Sequence, residues 1–334
     1  MQTFIRSLIP CVLVACCITA LGQVTSPGLA GRNTRANSID TVGEVVGVYE
    51  DAAGHSRGFF NLGQDFRKIN YPGAIATEVF GINDRGDLAG DYTDVNNVVH
   101  GFVREHNQFR TLDVPNAIKT VVRGENANRS IAGYYEDKSG QHGFVYREHH
   151  FTTIDHPGAK STVVSSTNDY EELVGWFVDA ANVTHGFLYS DGGFNPVDVP
   201  DATATRPSAI SQGGWIVGTY EKKGVMHGFQ LVDDKYLEIS FPNATDTEAL
   251  GLNAVGDVVG CYVAGGLIHG FRFKDSVYAN LDVDFSPPPS TSRNYLIFGG
   301  ILAAAVLLIF GIYRIYRSDT AEPPEPPSVN GAAA

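Results

Sequence analysis

Cysteine is almost missing from this chain. Three of its four cysteines, Cys11, Cys16 and Cys17, fall within the first 22 residues, and only Cys261 lies beyond them. One thiol closes no internal disulfide, so the body of the protein is held by packing alone, even in an oxidising compartment. Charge is also scarce, at 18% of residues, and its balance is acidic, with a formal net charge of −13. Such a chain repels a phosphate backbone, which excludes nucleic acid as a partner. No stretch between residues 29 and 285 shows a helical period. What is abundant points elsewhere. Gly numbers 37, Phe 19 and Tyr 15 among 334 residues, and 43% are hydrophobic. That composition excludes global disorder and favours strands and turns, in two average domains or one large all-β domain.

Long apolar runs occur only at the two ends. Residues 1–22 read as a secretory signal: Arg6 supplies a short positive region, an apolar run follows, and Ala20-Leu21-Gly22 offers small residues for cleavage. Leu13-Val14-Ala15-Cys16 competes with it as a lipobox that would lipidate Cys16, and an uncleaved anchor is the third reading. Residues 295–313, from Tyr295 to Tyr313, carry no charge and are long enough as a helix to cross ~30 Å of hydrocarbon. Arg314 and Arg317 follow this stretch, whereas Arg293 alone precedes it, so the expected tail (314–334) is cytoplasmic and residues 23–292 are extracytoplasmic. A Pro/Ser-rich stalk (286–294) leads into the span, and the tail is Pro-rich. Setting aside four basic and three acidic side chains of these terminal segments leaves 20 basic against 34 acidic in the exported part.

Between the ends the chain repeats itself. Gly-Phe recurs at Gly58, Gly101, Gly143, Gly186, Gly228 and Gly270, at intervals of 42 or 43 residues. Five copies read His-Gly-Phe, with His100, His142, His185, His227 and His269; the first has Arg57. In step run Gly47, Gly90, Gly133, Gly175, Gly218 and Gly260, each two residues before Tyr or Phe. Pro72, Pro115, Pro157, Pro200 and Pro242 form a third register, and Thr34, Thr77, Thr120, Thr162, Thr205 and Thr247 a fourth.

Each unit holds four strand-like runs separated by turn residues. In the second unit they are 77–83, 87–92, 100–104 and 109–115. Four antiparallel strands in about 42 residues make one propeller blade, so residues 29–285 predict an all-β, six-bladed β-propeller. A C-terminal transmembrane helix completes the expected architecture. Four residues after each Thr stand only small residues (Ser38, Gly81, Gly124, Ser166, Ala209, Gly251), which suits crowding at an axis and makes the first run innermost. The last run, ending in Pro, is then outermost, because an edge strand tolerates a missing N–H. Alternation puts the His and Phe of His-Gly-Phe on one face, with Phe between blades and the Gly of Gly-x-Tyr under a neighbouring ring.

Ile82-Asn83, Gly86, Ala89-Gly90 and His100-Gly101-Phe102, repeated as Leu252-Asn253, Gly256, Val259-Gly260 and His269-Gly270-Phe271, resemble the HAF-type extracellular repeats of bacterial proteins. Gly stands here where that family usually has Ala in the middle of its signature. The resemblance covers residues 29–285 and implies an exported bacterial repeat protein. It implies no reaction.

Several constellations compete as sites. The repeated histidines suit a metal or anion ring, yet a structural bond to a backbone group, or to an Asp near the fourth run, fits their place better. Gly54-His55-Ser56-Arg57-Gly58 matches a nucleophile elbow but sits in a loop between strand-like runs, without the following helix. Glu148, His149, His150 and His156 are the densest titratable group, and alternation in a strand splits them. Asp51, Asp94, Asp137 and Asp179 recur once per loop, too few per loop for calcium, and read as turn formers. The best candidates do not repeat. One residue after each Thr stand Arg35, Glu78, Val121, Val163, Arg206 and Glu248; two further on stand Asn37, Phe80, Arg123, Ser165, Ser208 and Leu250. With the first run innermost, Arg35, Glu78, Arg123, Arg206 and Glu248 are the candidate ligand-binding residues of an axial channel, and no cofactor is implied. The leading functional expectation is a membrane-anchored binding module at the cell envelope, with a glycan or protein ligand. A structural envelope protein without ligand, and a lyase or hydrolase acting on glycans, are the alternatives.

Overall fold

The computed structural model describes residues 32–285, apart from Gln64. The expected signal, stalk, membrane span and tail lie outside the described residues. Within them the fold is all-β, with 24 strands (β1–β24) and no helix. The strands form six antiparallel four-stranded blades spanning 32–69, 76–111, 119–154, 161–196, 204–239 and 246–280. Single parallel pairings, Gln141 with Ser161 and Thr184 with Ala204, tie the third, fourth and fifth blades into one hydrogen-bonded sheet.

The innermost strands are β1 (Arg32–Ile39), β5 (Ala76–Ile82), β9 (Lys119–Glu125), β13 (Ser161–Thr167), β17 (Ala204–Ile210) and β21 (Asp246–Leu252). They lie side by side around one axis, and β21 returns against β1. No strand is exchanged at this seam, since the first and last blades each pair wholly within themselves. Side chains close it: Asn253 Nδ2 donates to Asp40 O at 2.9 Å, Asn33 Oδ1 accepts from Ile268 N at 3.2 Å, and Arg35 faces Glu248 at 3.2 Å.

Each repeated residue has a definite job. The six Phe residues of the Gly-Phe pairs (Phe59, Phe102, Phe144, Phe187, Phe229, Phe271) are at most 1% exposed, and each lies in an apolar cluster shared with the preceding blade. Burying a phenyl ring this fully is worth on the order of 2 kcal/mol each. The Phe ring also covers its own blade's Gly-x-Tyr glycine: a Cβ on Gly133 would lie 3.0 Å from the Phe144 ring. The six Thr hydroxyls bind blade to blade. Thr77 accepts the N–H of Tyr71, Thr120 that of Val114, Thr162 that of His156, Thr205 that of Val199 and Thr247 that of Phe241, at 3.0–3.1 Å. Thr34 makes the same bond to Val283 at 3.3 Å, across the seam.

The proline register differs from its expected place. In the second blade the outer strand β8 (Gln108–Thr111) ends before Pro115. Asp113 leaves the strand to meet His100 and the Gly101 N–H. Pro115 is instead the second residue of a turn in which Ala117 N donates to Val114 O and Asn116 takes a φ of 64°. Pro72-Gly73, Pro157-Gly158, Pro200-Asp201 and Pro242-Asn243 repeat this turn. Pro second and a left-handed residue third are the requirements of a type II turn.

Candidate functional site

The inner strands share a local defect that decides what faces the axis. In each, the pairing with the second strand of the blade slips by one residue: Ala36, Val79, Val122, Val164, Pro207 and Ala249 pair with the repeated glycines, and the next paired residue lies two positions on. The residues skipped are Asn37, Phe80, Arg123, Ser165, Ser208 and Leu250. A one-residue bulge re-aims its side chain and increases local twist, and all six line the axial cavity, which holds about 570 Å³. The wall has two sides. Arg123, Ser165 and Ser208 come from three successive blades and are polar. Leu250, Asn37 and Phe80 come from the other three, and Asn37 is already committed, its Nδ2 donating to Val79 O at 2.8 Å. A hydroxyl- and guanidinium-bearing arc therefore faces a mainly apolar one.

The five charged candidates divide. Arg123, Arg206 and Glu248 line the cavity; Arg35 and Glu78 are not part of its lining. Arg35 turns to the seam, where Nη1 lies 3.2 Å from Glu248 Oε1 and 3.3 Å from Cys261 Sγ. Burial and the charge of Glu248 push the Cys261 thiol up to about 12, so it stays protonated and unreactive. Glu78 pairs across strands with Asp91 on β6 (Leu88–Thr93). Burial, and next the Glu78 charge, push the Asp91 carboxyl up to about 7, against the attraction of Arg123 and Lys119. Val121 and Val163, at the same repeat position, form an apolar cluster with Tyr134, against which Phe80 and Trp176 pack.

Arg123 lies over the Phe80 ring at 4.2 Å and 5.5 Å from that of Tyr134; Arg206 is 6.0 Å from the Trp176 ring. Trp176 and Glu221 also line the cavity, and sequence reasoning missed both. The signal for Trp176 was present: the middle residue of Gly-x-Tyr varies as Val48, Asp91, Tyr134, Trp176, Thr219 and Cys261, and each pairs across strands with the residue after the repeated Thr.

The repeated histidines lie away from the axis. His100, His142, His185 and His269 hold Nδ1 2.7–2.8 Å from Asp113, Asp155, Asp198 and Asp282, whose other oxygen accepts the next Gly N–H. His227 meets Ser240 and Glu238 instead, and Arg57 in the first blade bonds Asp51. The loop acids Asp94, Asp137 and Asp179 accept backbone N–H groups of their own turns and face Nε2 of the first three histidines at 3.4–3.8 Å. Asp198 and Asp179 together raise His185 above the usual imidazole range, with the Asp198 hydrogen bond as the largest cause. Glu148 and His149 form the turn between β11 (Gln141–Arg147) and β12 (His150–Ile154), while His156 stacks on Phe177 at 3.6 Å. That stack lines a smaller groove along the fourth blade, about 360 Å³, whose Phe177 face His156 already covers. Gly54 to Gly58 run through a hairpin turn into β3 (Ser56–Leu62), a setting with no helix to follow.

No family model matches the chain, and no curated protein does. Solved structures do. A mutant of the Aleuria aurantia lectin in complex with Fucα1-6GlcNAc is 12% identical, with a TM-score of 0.53, over 78% of this chain and 99% of the lectin. Another structure of that lectin, described as a six-bladed β-propeller with a novel fucose recognition mode, gives 0.51 at 12% identity over the same shares of both chains. AofleA from Arthrobotrys oligospora gives 0.54 at 12% identity, over 78% of this chain and 88% of its own. At such identities the likeness establishes the six-bladed fold.

Proposed function

We propose that this protein is a carbohydrate-binding propeller that takes its ligand in the axial cavity. One observation carries the reading: six bulges build a wall polar on one arc and mainly apolar on the other. A sugar ring has the same division, with hydroxyls at its rim and C–H groups on its faces. Ser165, Ser208 and Glu221 supply hydrogen-bonding groups, and Trp176 and Phe80 supply aromatic surface. A volume of about 570 Å³ accommodates a mono- or disaccharide. The lectins that share the fold bind fucose-containing ligands by their own descriptions, which agrees with a glycan ligand without specifying this one. In this reading the module works outside the cytosol, tethered to a membrane, which the HAF-like repeats, the expected signal at 1–22 and the apolar stretch at 295–313 support.

The test is calorimetric titration of the full-length protein with methyl glycosides of common neutral and acidic sugars, on wild type and Trp176→Ala. Binding of at least one sugar, weakened about tenfold or more by the variant, supports the reading. The proposal fails if no sugar binds, or if a folded Trp176→Ala protein binds as wild type does.

A further inference from the structure

The charges on the cavity wall are unevenly committed. Asp40 accepts the N–H groups of Gly43 and Glu44 at 2.9 and 2.7 Å, and Asp84 accepts both the N–H and the hydroxyl of Thr41 at 2.9 Å. Glu125 faces Arg85 at 3.3 Å, and Glu248 faces Arg35 at 3.2 Å. Among the described residues, Arg123 and Arg206 have no carboxylate within 4 Å and donate no hydrogen bond, though both are half-buried on the wall. A cation over a ring is held without using its N–H groups, so Arg123 on Phe80 and Arg206 beside Trp176 are positioned yet keep their donors. Half-buried guanidinium donors without acceptors are costly unless water or a ligand supplies them. Four charges oppose an anion here: Glu221, Asp40 and Asp84 on the wall, the last two bonded only to neutral donors, and Asp91 within electrostatic reach of Arg123. Burial and Glu78 keep Asp91 partly protonated near neutral pH. In a protein of net charge −13, Arg123 and Arg206 are the two cations on a wall that otherwise carries carboxylates, and both keep their donors free.

We infer that the axial cavity selects a sugar bearing a carboxylate, of the uronic-acid class, with Arg123 and Arg206 as the residues that determine this selectivity. This rests on the glycan reading above and narrows it. The planar guanidinium fork matches a carboxylate in two parallel hydrogen bonds. Ser165 and Ser208 lie on the same arc for the ring hydroxyls, and Glu221 accepts from hydroxyls as a neutral-sugar site would. Trp176 takes the apolar face of the ring.

The experiment compares methyl α-D-galacturonoside with methyl α-D-galactoside, which differ only at the acid carbon, on the full-length protein. Acetate and galactose 6-sulfate complete the panel. The expected result is about tenfold tighter binding of the uronoside, a preference that shrinks as salt is raised. Arg206→Gln and, separately, Arg123→Gln are expected to cut the ratio of the two affinities toward one. The salt series on wild type keeps the test valid if either variant fails to fold. Equal binding of the two glycosides overturns the acid selectivity and leaves the glycan reading standing. Failure of both to bind, while a different neutral sugar binds, has the same meaning. Failure of every sugar ends both. Acetate binding as tightly as the uronoside, or the sulfated sugar binding more tightly, overturns the assignment to a carboxylated sugar.

Discussion

Asp91 offers a quantitative check on the electrostatics of the inner wall. Its side chain sits on β6 with 9% of its surface exposed, across from Glu78 and within reach of Arg123 on β9 and Lys119 at the start of that strand. Burial, then Glu78, push the carboxyl from an ordinary 3.8 up to about 7. A shift of roughly three units corresponds to on the order of 4 kcal/mol. The folded state holds the proton to about pH 7, whereas the unfolded chain loses it near 3.8. Folding therefore binds a proton between these values, and its stabilising effect is full below about pH 4 and lost as pH rises through about 7. Asn has the same shape and no charge. In urea unfolding followed by tryptophan fluorescence, Asp91→Asn should match wild type within about 1 kcal/mol at pH 4 and be more stable by about 2–4 kcal/mol at pH 8. A difference that does not change with pH would refute this reasoning. A variant less stable than wild type at pH 8 would mean that the carboxylate is ionised and held by Arg123.

Two further outcomes follow from the blade contacts. Thr162→Val strands the His156 N–H at an interior blade interface, and Thr34→Val strands the Val283 N–H at the seam. Each should cost about 1–3 kcal/mol in chemical denaturation, and similar values for both are expected of a closed ring, whereas a harmless Thr34→Val would point to an open one. Proton NMR titration should place His185 above the usual imidazole pKa, and Asp198→Asn should lower it, because the Asp198 hydrogen bond is the largest cause of the rise; no change on that substitution would contradict the assignment.

The repeat phase, the blade size, the buried Phe set and the innermost first strand could all be read from the sequence, because each is a local pattern multiplied six times. Phe102 and Gly90 announce their roles by recurring at fixed spacing. The same regularity left a backbone group or an Asp as the partner of each repeated His, and four of the five take the Asp. The axial wall was harder. Alternation puts the residues one and three after each Thr on one face, which groups Arg35 with Asn37 and Glu78 with Phe80. All six residues three after each Thr do line the axis, joined by Val163, Arg206 and Glu248, but the bulge separates the pairs of the first two blades, and Arg35 turns to Glu248 and Cys261. Bulges leave little trace in a single sequence, since any residue that suits the axis can occupy them. Pro115 misled for a related reason: a missing N–H suits an edge strand and the second position of a turn equally. The threonine register was visible in all six units, but its role was not. It bonds a residue six positions earlier in sequence, on the connection from the preceding blade, and Thr34 finds its equivalent partner only across the seam, 249 residues away.

The proposed glycan site on the axis, walled by six bulged strands, is tested most directly by a crystal structure of the protein with methyl α-D-galacturonoside. Sugar density is expected inside the ring, with its acid group on Arg123 or Arg206 and its ring against Trp176. Density in the groove beside Phe177 and Phe194, or on the outer edges of the blades with the axis empty, would contradict it.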